Sequence, residues 1–219
     1  MKAILYQFSI NPSCAKLRKL LHYKGVDFDT IEVDYLERKD LPDGLTVPAF
    51  ALPGGETITD WEPIALRIEE LYPEPTVLPP DLRGIHLALS RYMDSEIEEA
   101  LVRLATPDEI AHFRRLGHEH EAFFRLVRER EYGVGFCDRM ERESAANRER
   151  ASRLLSPFEE ALHGKAFILG RIGLADFALY GQLHSLAISG ELKLPAEFPN
   201  LRLFFERIDR ISSDLTGVA

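Results

Sequence analysis

The stretch PEPTVLPPD, residues 73–81, constrains the architecture of this 219-residue chain more than any other segment. It holds four prolines in nine residues. Proline lacks the backbone N–H that helix interiors and central strands need, so neither element can run through the segment. A stretch of this composition is typical of a stiff linker. The residues on its two sides are therefore expected to form separate units.

The residues before the linker change their apolar periodicity repeatedly. Short apolar runs typical of strands alternate with segments of helical spacing, and the turn Pro53-Gly54-Gly55 indicates a hairpin. The predicted elements are, in order, a strand, a helix, a strand, a hairpin of two strands and a helix, at 2–8, 13–25, 27–35, 47–59 and 60–73. This order predicts an α/β unit with the arrangement βαβ-ββα.

From Leu82 onward the strand signal almost disappears and helical periodicity dominates. The stretch 139–153 is dense in Arg and Glu, which indicates a solvated helix face with i,i+4 ion pairs. We therefore predict an all-α helical bundle after the α/β unit. The predicted limits are 1–76 for the first domain, 77–84 for the linker and 85–219 for the second domain.

Charge and cysteine content narrow the classes of function. The formal net charge of −9 disfavours binding to nucleic acid or to anionic membrane surfaces. Cys14 and Cys137 are too few for a disulfide framework and suit a reducing cytosol. The N-terminal apolar run is broken within a few residues, unlike a signal peptide, and no apolar run reaches the roughly 18 residues of a membrane span. These features predict a cytoplasmic protein.

Four local motifs occur in an order that resembles the glutathione transferase superfamily. They are NPSCAKLRKLL, TVPAF, ITDWEPIALRIEELYP and FILGRIGLADFALYGQL, at 11–21, 46–50, 58–73 and 167–183. The resemblance covers essentially the whole chain. It implies a thioredoxin-like N-terminal domain that binds glutathione, joined to an all-helical C-terminal domain.

The first motif is similar to the family's S/C-P-x-x-x-K-V-R-x-x-L opening of the first helix. Asn11 stands where the family carries the Ser or Cys that acts on the glutathione sulfur. Its NH₂ group can donate a hydrogen bond to a thiolate but is neither an acid nor a nucleophile. Ser9 and Ser13 remain alternative donors, and helix-terminal N–H groups at Ser13 and Cys14 would add positive potential. Cys14 itself is interpreted as a small buried hydrophobe.

The second motif resembles the Val-Pro step before the family's third strand, where the proline is cis. The resemblance implies that the backbone of Val47, before Pro48, pairs with the extended glutathione peptide, with Thr46 beside it. An ordinary trans proline at a strand start is the alternative reading.

The third motif is similar to the family's E-S-x-A-I segment, in which a helix N-terminus binds the γ-glutamyl carboxylate. The resemblance places Asp60 at the acidic position that pairs with the ligand's ammonium. Trp61 stands where the family has Ser, so a hydroxyl donor is lost, although the Trp61 backbone N–H remains and Thr59 could reach in. Alternatively, or in addition, Asp60 serves as the helix N-cap.

The fourth motif resembles the family's capping segment in the C-terminal domain. Gly173 occupies the N-cap position and Asp176 the N3 position, from which its carboxylate can reach back to the Gly173 N–H. We therefore predict that Asp176 is structural.

Taken together, the resemblance implies an enzyme that activates the glutathione thiolate for attack on a small hydrophobic electrophile. Glutathione is the expected co-substrate, no metal is expected, and the expected assembly is a homodimer. Two alternatives stay open. One is a non-catalytic binding or scaffold protein, and the other is a glutathione-dependent thiol reductase that uses Cys14 or an etherase-type lyase.

Overall fold

The computed structural model describes residues 2–42 and 44–212. Its first part contains the elements β1, α1, β2, β3, β4 and α2, which span Ala3–Gln7, Pro12–Tyr23, Phe28–Glu32, Ala49–Ala51, Thr57–Thr59 and Trp61–Leu71. This order confirms the predicted βαβ-ββα arrangement.

Within the described residues, the strands form one four-stranded sheet in the order β2-β1-β3-β4. Strand β1 runs parallel to β2 and antiparallel to β3, and β3 runs antiparallel to β4. Tyr6 pairs with Ala49, and Ala49 pairs with Thr59. The end of β1, the start of β3 and the end of β4 therefore meet at one edge of the sheet, which we call the ligand edge.

The second part of the chain is helical, and the described residues from Arg83 onward form no strand. Helices α3 to α9 span Arg83–Tyr92, Glu98–Leu116, His118–Tyr132, Phe136–Arg142, Ser144–Ala161, Leu174–His184 and Pro199–Asp209. A π-helical turn, Met93–Ile97, joins α3 to α4, and a 3₁₀ turn, Ser185–Ala187, follows α8. The predicted helical bundle is confirmed. Within the described range, no helix is both long and apolar enough to cross a membrane.

Helix α8 joins the two parts because it packs directly against α1. A Cβ atom on Gly181 would lie 2.6 Å from the Pro12 carbonyl oxygen and 2.8 Å from the Lys16 Cβ. Only glycine permits this close approach of the two helices. Apolar residues of α1, α2 and α8 consequently share one core cluster with the sheet.

The segment between α2 and α3 is held against the core. The Glu69 carboxylate accepts hydrogen bonds of 3.2 Å from the Val77 and Leu78 N–H groups and pairs with the buried Lys24. The Val77 carbonyl in turn accepts from the Leu174 N–H at the start of α8, at 2.8 Å. The proline-rich connection is therefore packed against the core at Val77 and Leu78. The domain limits drawn from the sequence stay a prediction.

Candidate active site

Three of the four motifs contribute residues to the ligand edge. Asn11 follows the end of β1, Pro48 precedes β3, and Asp60 follows β4. The Asp60 N–H donates to the Pro48 carbonyl at 3.1 Å, which fixes the start of α2 beside the proline. Sheet topology alone thus gathers segments that are up to about fifty residues apart in the sequence.

Asn11 is the N-cap residue of α1, with Pro12 at the first helical position. Its Oδ1 accepts a hydrogen bond from the Cys14 N–H at 3.1 Å. Because the oxygen is engaged, the NH₂ group is the part of the side chain that remains for donation to a ligand. Of the two N–H groups expected to add positive potential, that of Cys14 is therefore taken by the Asn11 cap.

The two alternative donors lie on either side of Asn11. Ser9 is exposed in the loop between β1 and α1, and its N–H donates to Glu32 Oε1 at 2.6 Å. Ser13 is half-buried at the second position of α1. The Arg18 side chain reinforces the loop by donating to Gln7 Oε1 at 2.6 Å. The loop is therefore shaped by side chains of β1, β2 and α1.

Cys14 is fully buried, as the sequence interpretation expected. Burial raises the pKa of its thiol to about 12. At neutral pH the group is therefore an inaccessible thiol, and it lacks the thiolate character that disulfide exchange requires.

The Val47–Pro48 peptide bond is cis, which agrees with the expectation from the second motif. Val47 is half-buried and Thr46 is exposed, so the segment borders solvent where it enters β3. This geometry leaves the Val47 backbone at the ligand edge, next to the start of α2.

Asp60 has an unusual backbone, with φ 66° and ψ 143°, a region that non-glycine residues rarely adopt. The residue is exposed and holds the N-cap position of α2. Its side chain makes no capping hydrogen bond within the described part of the chain. The reading of Asp60 as a side-chain N-cap is therefore wrong, although its carbonyl does accept the Ile64 N–H at 3.2 Å.

Trp61 directs its side chain into the protein and not toward the ligand edge. Only 5% of the residue is exposed, and the indole Nε1 donates to Asp94 Oδ2 at 2.6 Å. The Trp61 backbone N–H belongs to the first turn of α2 and has no partner inside that helix. Sequence reasoning missed Asp94, because it lies 33 residues from Trp61 and in no motif.

The capping segment of α8 is assembled as the fourth motif indicates. The buried Asp176 carboxylate accepts from the Gly173 N–H at 2.8 Å and from the Ile168 N–H at 2.9 Å. Burial raises its pKa to about 7. The His86 ring fills the space where a side chain at Gly173 would lie, and its Nδ1 accepts the Ala175 N–H at 3.3 Å. Asp176 thus lies in the core, away from the ligand edge.

The cavities and possible metal ligands of the described residues add nothing to this site. A depression of about 490 Å³ sits at the β3–β4 turn and the C-terminal end of α2, at the edge of the sheet opposite Asn11. Among residues 2–42 and 44–212, no group of three His, Cys, Asp or Glu side chains is placed to hold a metal ion.

Models of known protein families match both parts of the chain. A family model described as "Glutathione S-transferase, N-terminal domain" matches residues 5–76, and one described as "Glutathione S-transferase, C-terminal domain" matches residues 92–211. A search of curated protein sequences finds no significant match.

Solved structures with the same fold are distant in sequence. A glutathione S-transferase of Ceriporiopsis subvermispora in complex with glutathione is 20% identical, with a TM-score of 0.72 over 95% of this chain and 98% of that one. A glutathione S-transferase from Rhodospirillum rubrum is 22% identical, with a TM-score of 0.70 over 99% and 93%. A beta-etherase from Sphingobium is 18% identical, with a TM-score of 0.71 over 96% of each chain. At these identities the likeness shows the fold alone.

Proposed function

This chain belongs to the glutathione transferase superfamily, and we propose that it activates the glutathione thiolate for attack on a small hydrophobic electrophile. The observation that carries the proposal is the pairing of an available amide donor at Asn11 with a buried, unreactive thiol at Cys14. The sulfur that reacts is then that of the bound glutathione, and the protein supplies its position and its ionisation.

Glutathione would bind along the ligand edge as an extended peptide. The backbone of Val47, before the cis Pro48, is placed to pair with the peptide, with Thr46 at the rim. The N-terminus of α2 offers N–H groups and the positive end of the helix dipole to the γ-glutamyl carboxylate. The exposed Asp60 carboxylate would pair with the ligand's ammonium.

In this proposal Asn11 raises the reactive fraction of the thiol. A free thiol has a pKa of about 8.5, and a hydrogen bond donated to the thiolate lowers it. The thiolate then forms a bond to the electrophilic carbon, and the leaving group departs with its electron pair. Ser9 and Ser13 are kept as alternative donors because both flank Asn11 in the loop and first turn of α1.

A set of Asn11 variants tests this role apart from helix capping. Asn11→Ser keeps both a cap and a donor, so activity is expected to stay near that of the wild type. Asn11→Asp keeps the cap but replaces the donor by a negative charge, which is expected to lower kcat by about tenfold or more and move its pH dependence upward. Asn11→Ala removes both functions and also about 1 kcal/mol of stability.

Binding of glutathione, measured by titration calorimetry, should change little across the set. An Asn11→Asp variant with the wild-type pH profile would exclude Asn11 as the donor, and Ser9→Ala and Ser13→Ala would then be examined. A wild-type chain that binds no glutathione at millimolar concentration would overturn the function itself and favour a scaffold role.

The same proposal includes a cytoplasmic homodimer with its domains at 1–76 and 85–219. Ile85 and Tyr92, one heptad apart on α3, are 50% and 39% exposed. Large apolar side chains exposed on one helix face are a common feature of subunit interfaces. Light scattering should give a mass of about two chains, and Ile85→Glu should shift it toward one.

A further inference from the structure

A polar cluster beneath the start of α2 has no place in the chemistry described so far. It joins Lys16 of α1, Trp61 of α2, Asp94 of the π-helical turn and Gln182 of α8. We refer to these residues as the Asp94 cluster. They come from both parts of the chain and lie directly behind the ligand edge, because Trp61 is the residue that follows Asp60.

The polar partners that residues 2–42 and 44–212 supply to the Asp94 carboxylate are all donors. Oδ2 accepts from Trp61 Nε1 at 2.6 Å, and Oδ1 accepts from Gln182 Nε2 at 3.0 Å and pairs with the Lys16 ammonium. Lys16 Nζ also lies 4.5 Å from the centroid of the Trp61 ring. The indole is thus held both at its N–H and on its face.

The backbone around Asp94 departs from a regular α-helix. Asp94 lies in the π-helical turn Met93–Ile97, between two α-helices. A π-turn inserts an extra residue, which redirects the side chains that follow, and such turns are frequent at functional sites. The Lys16 side chain is fully buried and that of Asp94 is 24% exposed, so the cluster is largely withdrawn from water.

We propose that Asp94 is a positioning residue for glutathione, which it serves by fixing Trp61 and thereby the first N–H groups of α2. The inference rests on the proposed function, because the ligand it concerns is glutathione. The residue before Trp61 has a strained backbone, so the start of α2 needs an anchor. At the position where the family motif has Ser, this chain has Trp61, and its anchored indole supplies that rigidity.

Asp94→Asn tests the role while preserving the shape of the side chain. An amide has one acceptor atom, whereas the carboxylate faces donors on both oxygens, so Asn cannot satisfy Lys16 and Trp61 together. The dissociation constant of glutathione is expected to rise about tenfold, with kcat at saturating glutathione unchanged. Trp61 is the sole tryptophan of the chain, so its fluorescence emission should shift in the same variant.

Trp61→Phe is the second variant, and it leaves the Asp94–Lys16 pair intact. It should raise the dissociation constant of glutathione by a similar factor. The double variant should lose no more affinity than either single variant, because both substitutions remove the same anchor. Glu62→Gln is the matched control. Glu62 is in the same turn of α2, and its carboxylate accepts from Arg91 of α3 at 2.6 Å, whereas the Trp61 indole donates to Asp94. The dissociation constant of glutathione for Glu62→Gln should stay within about twofold of the wild-type value.

Titration calorimetry with reduced glutathione separates the outcomes. The role of Asp94 is overturned if the wild type binds glutathione and the dissociation constant of Asp94→Asn or Trp61→Phe is within about twofold of the wild-type value. The proposed function would then still stand. Losses that multiply in the double variant also overturn the role of Asp94, since the two residues would then act independently. A wild type that does not bind overturns the proposed function and this inference together.

Discussion

The N-termini of α2 and α8 each carry an acidic residue that the family motifs single out, yet the two residues have opposite surroundings. At α8, the Asp176 carboxylate is buried and accepts two backbone N–H groups, while Val77 and His86 accept the next N–H groups of the helix. At α2, Asp60 is exposed, strained and makes no side-chain cap within the described residues.

The difference teaches how to separate a structural acid from a ligand-binding one. A carboxylate whose oxygens are already occupied by the backbone of its own chain stabilises the fold and has nothing left to offer a ligand. A carboxylate held in a costly conformation without such partners is retained for another purpose. On this basis we propose that the start of α8 serves folding and that the start of α2 serves binding.

Asp176→Ala should give the largest effect on stability. It leaves the Gly173 and Ile168 N–H groups buried without an acceptor, which is expected to cost about 3 kcal/mol of unfolding free energy. Urea denaturation measures the loss, and Asp176→Asn should lose less because one acceptor remains. Glutathione affinity of the folded variant should be unchanged. A variant that binds glutathione more weakly but keeps its stability would contradict the claim that Asp176 serves folding.

The C-terminal end of α8 should make stability depend on pH. The pKa of His184 is lowered to about 4 from an ordinary value of 6.5, mainly by burial and also by Arg18 and Lys19, while Asp209 opposes the shift. Because the unfolded His184 binds protons in that window, its contribution to stability is full above pH 6.5 and is lost as the pH drops toward 4, while the buried Asp176, with a pKa raised to about 7, contributes in the opposite direction. The loss should reach about 3 kcal/mol. The difference in unfolding free energy between the wild type and His184→Gln should therefore change by about 3 kcal/mol between pH 6.5 and 4. A difference that does not change with pH would exclude this role of His184.

Gly173→Ser examines why α8 begins on glycine. A Cβ there would lie 2.1 Å from the His86 Cε1, so the variant should lose about 2 kcal/mol through overpacking. Adding His86→Ala to it makes room for the new side chain and its own cap, and should recover part of the loss. If the double variant is no more stable than Gly173→Ser alone, His86 does not replace the cap.

The sequence predicted what is encoded locally. The order of elements, the cis Pro48 and the Asp176 cap each follow from a motif of a few residues, and the structure bears them out. The sequence did not predict the Asp94 cluster or the contact of His86 with the start of α8. Lys16 and Asp94 are 78 residues apart, and His86 and Ala175 are 89 apart, so nothing in either segment identifies its partner. Such pairings are set by how α8 packs on α1, on α3 and on the π-helical turn.

Asp60→Gly tests the central claim most directly. Glycine tolerates the backbone of this position, and the release of strain should offset the greater freedom of glycine in the unfolded chain. The free energy of unfolding should therefore fall by no more than about 0.5 kcal/mol, while the dissociation constant of glutathione rises about tenfold or more. Asp60→Glu is the control that restores a carboxylate. Unchanged affinity in Asp60→Gly, or a loss of stability like that of Asp176→Ala, would contradict the assignment of the start of α2 to binding.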